Sequence, residues 1–196
     1  MDESTALKKI KIRFPEISSK SWEHPADRAA LTALKKVPGL DAILQKLVGA
    51  TTERSLRLIT LASAVRVGDN QFPRVHRLHL EACNILDVQT PPELYISQTP
   101  FLNARAVGVD NPFIVLNSSM IDSLSEAELL SVIAHELGHC MSGHVLYKSL
   151  LQLLLRLSTM VMSVPLAGAS LMAIIIALRE WDRKSELSAD RAALLV

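Results

Sequence analysis

An uncharged run over residues 157–178 constrains the fold of this chain more than any other feature of its sequence. At about 1.5 Å per residue, one unbroken helix of this length would cross the hydrocarbon core of a membrane. Pro165 and Gly168 interrupt the run and divide the surrounding apolar region into two arms, 145–164 and 166–178. Because the second arm is too short to span a bilayer, we expect the chain to turn back on itself between the arms.

This turn predicts an apolar helical hairpin over residues 145–178. Hydrophobic residues make up 49% of the sequence and aromatic residues only 4%, so the apolar surplus is aliphatic, and it is concentrated in this region. Two environments for the hairpin tip stay open, namely burial against protein and insertion into a membrane surface. Membrane association through 145–178 is therefore one of two alternatives.

Composition excludes several classes of protein. The apolar fraction is too high for a disordered chain, and 196 residues are enough for one domain with a sizeable core. Lys and Arg total 21 against 20 for Asp and Glu, with no long basic run. We therefore expect no nucleic-acid partner.

The cysteines and the N-terminus predict a cytoplasmic location. Cys83 and Cys140 are the only two cysteines, too few for a disulfide scaffold, and are expected to be free thiols in a reducing compartment. The first residues, MDESTALKKIKIRF, place acids before bases and contain no apolar stretch of the kind found in a secretory signal peptide.

Local patterns predict a mostly helical chain with a short strand region. Helices are predicted over four ranges before residue 86: 25–37, 40–48, 52–65 and 74–85. Pro25 stands at the first position of the first of these helices. Beyond residue 86, prolines break the helical pattern, and short β-type runs appear at 94–96 and 113–116. The turn residues 110–112 predict a hairpin that folds 104–109 against 113–117.

A further predicted helix carries the candidate metal-binding and catalytic residues. Ser125 and Glu128 have the spacing of a capping box at its start. Within it, His135-Glu136-Leu137-Gly138-His139 places two imidazoles roughly 40° apart and one turn apart on one face, where both can bind a single Zn²⁺. Glu136 projects about 60° from His139 on the other side, where it can hold a metal-bound water. About 0.01 matches to this pattern are expected by chance in such a chain.

A catalytic zinc site needs a third protein ligand. Glu186 and Asp190 lie one helical turn apart on one face, so Glu186 is the candidate ligand, and Asp190 is the candidate acceptor for the distal N–H of a ligand histidine. The alternative is a solvated acidic helix face, which we would favour if the histidine motif were absent.

The ordered set of motifs resembles the HtpX and CAAX prenyl protease-like family of gluzincin metallopeptidases, from about residue 70 to the end. The segments that carry the resemblance are Asn103-Ala104-x-Ala106-x-Gly108, Phe113-Ile114-Val115-Leu116, Ser125-Glu126-x-Glu128-Leu129, HELGH at 135–139 with Cys140-Met141-Ser142-Gly143-His144, and Glu186-x-x-x-Asp190-Arg191. A metzincin fits poorly, because Ser142 and Val145 stand where that pattern has Gly and His. The resemblance implies a zinc endopeptidase with His135, His139 and Glu186 as ligands and Glu136 as the catalytic carboxylate.

The resemblance also implies a donor for the oxyanion downstream of the third ligand, where only a few residues follow Asp190. We therefore expect a chain truncated at its C-terminus, with His144 and Arg191 as auxiliary candidates. His144 would lie about 13 Å along an unbroken helix from His135, too far to bind the same metal, so we expect it to have a structural role or to support a ligand. His76 and His79, at helical spacing but without a nearby carboxylate pattern, are expected to form a surface pair.

The predicted hairpin has its own role beside the metal. Its outer strand, represented by Asn103, Ala104, Arg105 and Ala106, is expected to pair with the extended backbone of a peptide substrate. Such pairing provides affinity with little sequence selectivity.

The predicted fold is α+β, mostly α-helical and zincin-type, with a small antiparallel sheet beside the His-Glu-x-x-His helix and the apolar hairpin described above. An N-terminal helical segment (1–70) would precede a metallopeptidase domain (71–196). The predicted function is that of a zinc-dependent metalloendopeptidase, in which Glu136 activates a metal-bound water to hydrolyse peptide bonds in protein or peptide substrates. The alternative is a zinc-stabilised membrane- or partner-binding module that lacks turnover.

Overall fold

The computed structural model describes residues 12–40, 42, 44, 52–161 and 165–196. Within them, a 3-10 turn at Ser19–Ser21 precedes the helices and strands. The helices are α1 (Pro25–Leu34), α2 (Thr52–Ser63), α3 (Pro73–Ile85), α4 (Ser118–Ser123), α5 (Glu126–Met141), α6 (His144–Val161) and α7 (Pro165–Ala193). The strands are β1 (Ala64–Arg66), β2 (Leu94–Ser97), β3 (Ala104–Val107) and β4 (Phe113–Asn117).

The strands form one mixed sheet in the order β1-β2-β4-β3. β3 and β4 pair antiparallel with Ala104 opposite Leu116, which confirms the hairpin predicted from the turn residues. The prediction of a wholly antiparallel sheet is wrong, because β2 and β4 run parallel. After β2 the chain passes beyond the position of β4 to form the edge strand, so the hairpin turn brings β4 back in the direction of β2.

The first strand corrects the predicted end of the helix at 52–65. The helix expected over 52–65 ends at Ser63, and β1 pairs antiparallel with β2, with Val65 opposite Ile96. Hydrogen bonds to β2 satisfy the backbone groups of Ala64–Arg66. In a further turn of helix, these groups would have bonded within the helix instead. Residues before position 70 therefore complete the sheet.

Helix α5 lies in the centre of the main core. The predicted capping box is present, because the Ser125 hydroxyl accepts from the Glu128 amide and the Glu128 carboxylate accepts from the Ser125 amide. The apolar face of α5 packs against the sheet and α3 in one cluster that includes Leu129, Ile133, Leu137, Ile96, Ile114, Leu116, Val75 and Leu78. This packing determines which face of α5 can carry a functional site.

Helices α6 and α7 carry much of the aliphatic surplus. Leu150 and Leu154 of α6 pack with Ile175 and Trp181 of α7, and Leu34 of α1 completes the cluster. The tip of the predicted hairpin, 162–164, and most of the helix predicted at 40–48 lie outside the described residues. In the part of the chain that is described, no helix combines the length and the apolar character that crossing a bilayer requires.

Candidate metal centre

Two helices bring three metal-binding side chains together. His135 and His139 lie one turn apart on α5, and Glu186 faces them from α7. The Nε2 atom of His135 is 3.2 Å from Glu186 Oε2, and the Nε2 atom of His139 is 3.4 Å from Glu186 Oε1. One donor atom from each of the three residues lies within 4.8 Å of the others.

The close approach of α5 and α7 depends on Gly138, which stands between the two histidine positions. A Cβ atom at Gly138 would lie 2.8 Å from the Cβ atom of Ala192 and 3.2 Å from the Cα atom of Ala189. Real side chains do not tolerate the first distance, so the backbones meet here only because position 138 has no side chain. Glu186, one turn before Asp190 on the same helix, is thereby brought within reach of the histidines.

The donor set fits a zinc ion. Zinc binds imidazole nitrogen and carboxylate oxygen at about 2.0–2.2 Å in tetrahedral geometry, which places neighbouring donors roughly 3.3–3.5 Å apart. The separations of 3.2 and 3.4 Å between the imidazole nitrogens and the Glu186 oxygens are close to this spacing. Three protein ligands leave a fourth position for water or substrate, which is the pattern of catalytic sites.

The electrostatic surroundings of His139 and Glu136 also suit a zinc site. Burial lowers the pKa of His139 to about 4, so its imidazole is neutral at physiological pH and has a free lone pair for a metal. Burial also raises the pKa of the Glu136 carboxyl, against the opposing influence of His135, Lys148 and the backbone amide of Ala106. Glu136 is only 7% exposed and lies next to the ligands without belonging to the metal-binding group.

Asp190 lies where the spacing of the sequence places it. Its Oδ1 atom is 3.0 Å from Nδ1 of His135, on the side of the ring away from Glu186. A proton on Nδ1 would be accepted by Asp190 at this distance, and Nε2 of His135 would then be available to bind a metal.

The two auxiliary candidates have different positions. The expected separation of His144 from the site is wrong, because α5 ends at Met141 and Gly143, with φ of +68°, reverses the chain. His144 therefore begins α6 with its Nδ1 atom 3.0 Å from Nδ1 of His139. Arg191 instead donates to the backbone oxygen of Glu23 at 3.4 Å.

Lys148 is a polar neighbour of the ligands that the sequence did not reveal. Its ammonium group lies 2.8 Å from Asp182 Oδ1 and pairs with the Glu186 carboxylate. Burial lowers the pKa of Lys148, but the two carboxylates outweigh burial and raise it above its ordinary value. The signal in the sequence is weak: Lys148 lies one turn after His144 and is one of two cations, with Arg156, on a largely apolar helix.

Two cavities meet at the ligands. One, of about 460 Å³, is lined by Asn103, Leu102 and Met120 together with the α5 and α7 side chains of the site. The other, of about 280 Å³, follows residues 103–106 toward Lys148. β3 is an edge strand of the sheet, and its residues border both cavities.

Comparison with known proteins gives a consistent family match. Residues 69–196 match the model of peptidase family M48. The plastoglobule-localized metallopeptidase 48 of Arabidopsis thaliana is 34% identical over 186 residues, which cover 93% of this chain and 53% of that protein. A protease HtpX homolog of Helicobacter pylori is 40% identical over 85 residues, which cover 42% of this chain and 26% of that protein.

A protease HtpX homolog of Methanosarcina acetivorans is 33% identical over 75 residues, which cover 37% of this chain and 25% of that protein. The matched part of this chain thus spans about half the length of the first relative and about a quarter of the other two. No solved structure matches the chain.

Proposed function

Because the chain belongs to peptidase family M48, we propose that it is a zinc-dependent metalloendopeptidase whose metal is held by His135, His139 and Glu186. The observation that carries the proposal is the convergence of one donor atom from each residue to within 4.8 Å. Buried Glu136 beside these atoms, and an edge strand bordering the same cavities, add the two parts that peptide hydrolysis also needs.

Glu136 is the general base and then the general acid of the reaction. When bound, zinc supplies a Lewis acid that polarises the scissile carbonyl and lowers the pKa of water. Glu136 accepts the proton of the attacking water and delivers it to the leaving amine. Its burial, which raises the pKa of the carboxyl, helps it to hold the proton between these two steps.

The edge strand β3 positions the substrate. We expect an extended peptide to pair along residues Asn103, Ala104, Arg105 and Ala106 on the side of β3 away from β4. Pairing through main-chain groups accepts many sequences, so the expected substrates are extended or unfolded polypeptides. Peptides with N-methyl groups at alternate positions would then be cleaved more slowly than unmodified peptides of the same sequence.

The apolar region and the domain boundary belong to the same proposal. Residues 71–196 form the metallopeptidase domain, and 145–178 form a helical hairpin that returns Glu186 to α5. The packing of Leu150 and Leu154 against Ile175 supports burial of the hairpin arms in protein. Membrane association of the tip stays a prediction, to be tested by sedimentation with vesicles of zwitterionic and anionic lipid.

The test of the proposal is the Glu136→Gln variant. Wild type and variant are each expected to hold about one zinc ion per chain, because the ligands are unchanged. Cleavage of unfolded casein is expected to fall by about 10²-fold or more in the variant, since proton transfer is lost. Glu126→Gln is the matched control: it lies on the same helix, exposed, and should cleave casein at the wild-type rate.

Two outcomes would contradict the proposal. Equal cleavage by Glu136→Gln and wild type would remove Glu136 from the mechanism. Zinc-dependent folding of the wild type without any casein cleavage would favour the alternative, a zinc-stabilised membrane- or partner-binding module.

A further inference from the structure

We propose that Asp27, on helix α1, is a positioning residue for the metal centre and acts through His144 to orient His139 and fix its tautomer. Asp27 lies outside residues 69–196, the part of the chain that matches the family. The inference rests on the proposed function, because it takes His139 as a metal ligand.

The contacts form a continuous line from α1 to the metal centre. Asp27 Oδ2 is 3.0 Å from Nε2 of His144, and Nδ1 of His144 is 3.0 Å from Nδ1 of His139. The other nitrogen of His139, Nε2, faces Glu186. All three residues of the line are buried, with exposed fractions of 1% for Asp27, 2% for His144 and 2% for His139.

Only one arrangement of protons satisfies this line when His139 binds a metal. Nε2 of His139 must then be unprotonated, so its Nδ1 atom carries the proton and donates it to Nδ1 of His144. An imidazole of His144 that accepts at Nδ1 carries its own proton at Nε2, which it donates to Asp27. A carboxylate at position 27 accepts and cannot donate, so it selects this arrangement over the reverse one.

Further contacts hold the Asp27 carboxylate in place. The indole N–H of Trp181 donates to Oδ1 at 3.0 Å, and the hydroxyl of Ser188 donates to Oδ2 at 2.6 Å. Ser188 in turn accepts from the backbone N–H of His24 at 2.9 Å. Asp27 also stands in the first turn of α1, where the helix dipole favours a negative charge.

The His144 ring is also held in place by packing. It packs edge-on against the indole of Trp181, with ring centroids 5.6 Å apart. Ser188 and Trp181 both lie on α7, the helix that also carries Glu186. The same helix thus positions the third ligand directly and the second ligand through Asp27 and His144.

Burying a carboxylate costs desolvation free energy, whereas an apolar side chain at position 27 would pack α1 against α7 without that cost. Carboxylates that fix the tautomer of a metal-bound histidine typically contribute 10–100-fold to metal affinity. Selection of this proton arrangement therefore explains why a carboxylate is buried at position 27, whereas packing alone does not.

The first test measures tautomers in the wild-type protein, so it needs no variant to fold. Nitrogen-15 NMR of histidine-labelled, zinc-loaded protein should find the His144 proton on Nε2 and an unprotonated Nδ1. A proton on Nδ1 of His144, or a doubly protonated ring at pH 7.5, would overturn the proposal.

The second test uses Asp27→Asn, whose amide can donate to Nε2 of His144 and so favours the reverse arrangement. We expect zinc affinity, measured by competition with a chromogenic chelator, to fall 10–100-fold. We also expect the visible spectrum of the cobalt-substituted protein to change. The control is Thr32→Ala, an exposed position on the same helix whose hydroxyl donates to the backbone oxygen of Arg28, and its zinc affinity should stay within about 3-fold of wild type.

The outcomes separate this proposal from the one on which it rests. Wild type that binds zinc, together with Asp27→Asn at unchanged affinity, would overturn the role of Asp27 alone. Equal losses in Asp27→Asn and Thr32→Ala would mean that any change in α1 weakens the site, and would overturn the proposal as well. Wild type that binds no zinc would overturn the proposed function itself.

Discussion

His79 is a buried imidazole whose environment differs from that of the histidines at the metal centre. It is 3% exposed, and its Nε2 atom has no hydrogen-bond partner among the described residues. The expected surface pair with His76 is therefore wrong for His79, because the apolar face of α3 carries its ring into the core. Burial and the neighbouring His76 lower the pKa of His79 to about 4.

This depressed pKa predicts a loss of stability in acid. The unfolded chain binds a proton at position 79 below about pH 6.5, whereas the folded protein resists protonation until about pH 4. Stability linked to His79 is thus present above about pH 6.5 and lost as the pH falls toward 4. In His79→Leu, this part of the acid destabilisation should disappear.

The measurement is the difference in Tm between pH 7.5 and pH 5 for metal-free protein. His79→Leu should have a smaller difference than wild type. His76→Gln serves as the control, because it removes an imidazole of the same helix that is more exposed and pairs with Asp69. An equal reduction in both variants would contradict the assignment to His79.

At the residue scale, spacing within one helix was predictable from the sequence and long-range contacts were not. The fixed geometry of a helix places His135, His139 and Glu136, because residues one and four apart have defined directions. His144 was misplaced because a single glycine with positive φ turns the chain back. Asp27 had no signal at all, since its partners lie more than a hundred residues away.

Among the elements, the contact between α5 and α7 has the greatest effect on the site. Gly138 allows the two helices to approach at the level of Ala189 and Ala192. In Gly138→Val, the added side chain must push α7 away, at a cost of about 1–3 kcal/mol or roughly 2–12 °C in Tm. The same displacement moves Glu186 away from the histidines, so zinc affinity should fall too.

Ala127→Val is the matched control for this prediction. It introduces the same β-branched side chain on the same helix at an exposed position, so only the weak helix propensity of valine is changed. Thermal unfolding and chelator competition on both variants separate the two effects. Equal changes in Tm and zinc affinity would mean that close helix contact at Gly138 is unimportant.

Element types followed from local signals, whereas strand partners did not. The capping box at Ser125 and the turn at 110–112 specify a helix start and a hairpin, because both act within a few residues. The strand at Ala64–Arg66 and the parallel pairing of β2 with β4 depend on distant segments. Tertiary pairing therefore overrides the predicted helix at its last two residues, Ala64 and Val65.

At the scale of the whole molecule, the described residues before position 70 are built into the metallopeptidase fold. Trp22 joins the core cluster beneath α5, and its indole N–H donates to Ser142 at 3.3 Å. Strand β1 completes the sheet, and α1 packs on α7 through Leu34. The predicted boundary between 70 and 71 is thus close to the start of the family match at residue 69 but does not separate two cores.

The structure of the whole molecule also accounts for the surplus of aliphatic residues in the sequence. The side chains of α6 and α7 form a second core with α1, separate from the core between α5 and the sheet. His139, His144 and Trp181 lie in ring contact along one line between α5 and α7. The candidate metal centre therefore lies between two apolar clusters that pack against α5 and α7.

The central claim is that α5 and α7 together hold one zinc ion, and anomalous diffraction at the zinc absorption edge tests it most directly. Crystals of the protein grown with zinc are predicted to give one strong anomalous peak within about 2.2 Å of Nε2 of His135, Nε2 of His139 and a carboxylate oxygen of Glu186. An empty map at this position, or a peak bound by other residues, would contradict the account.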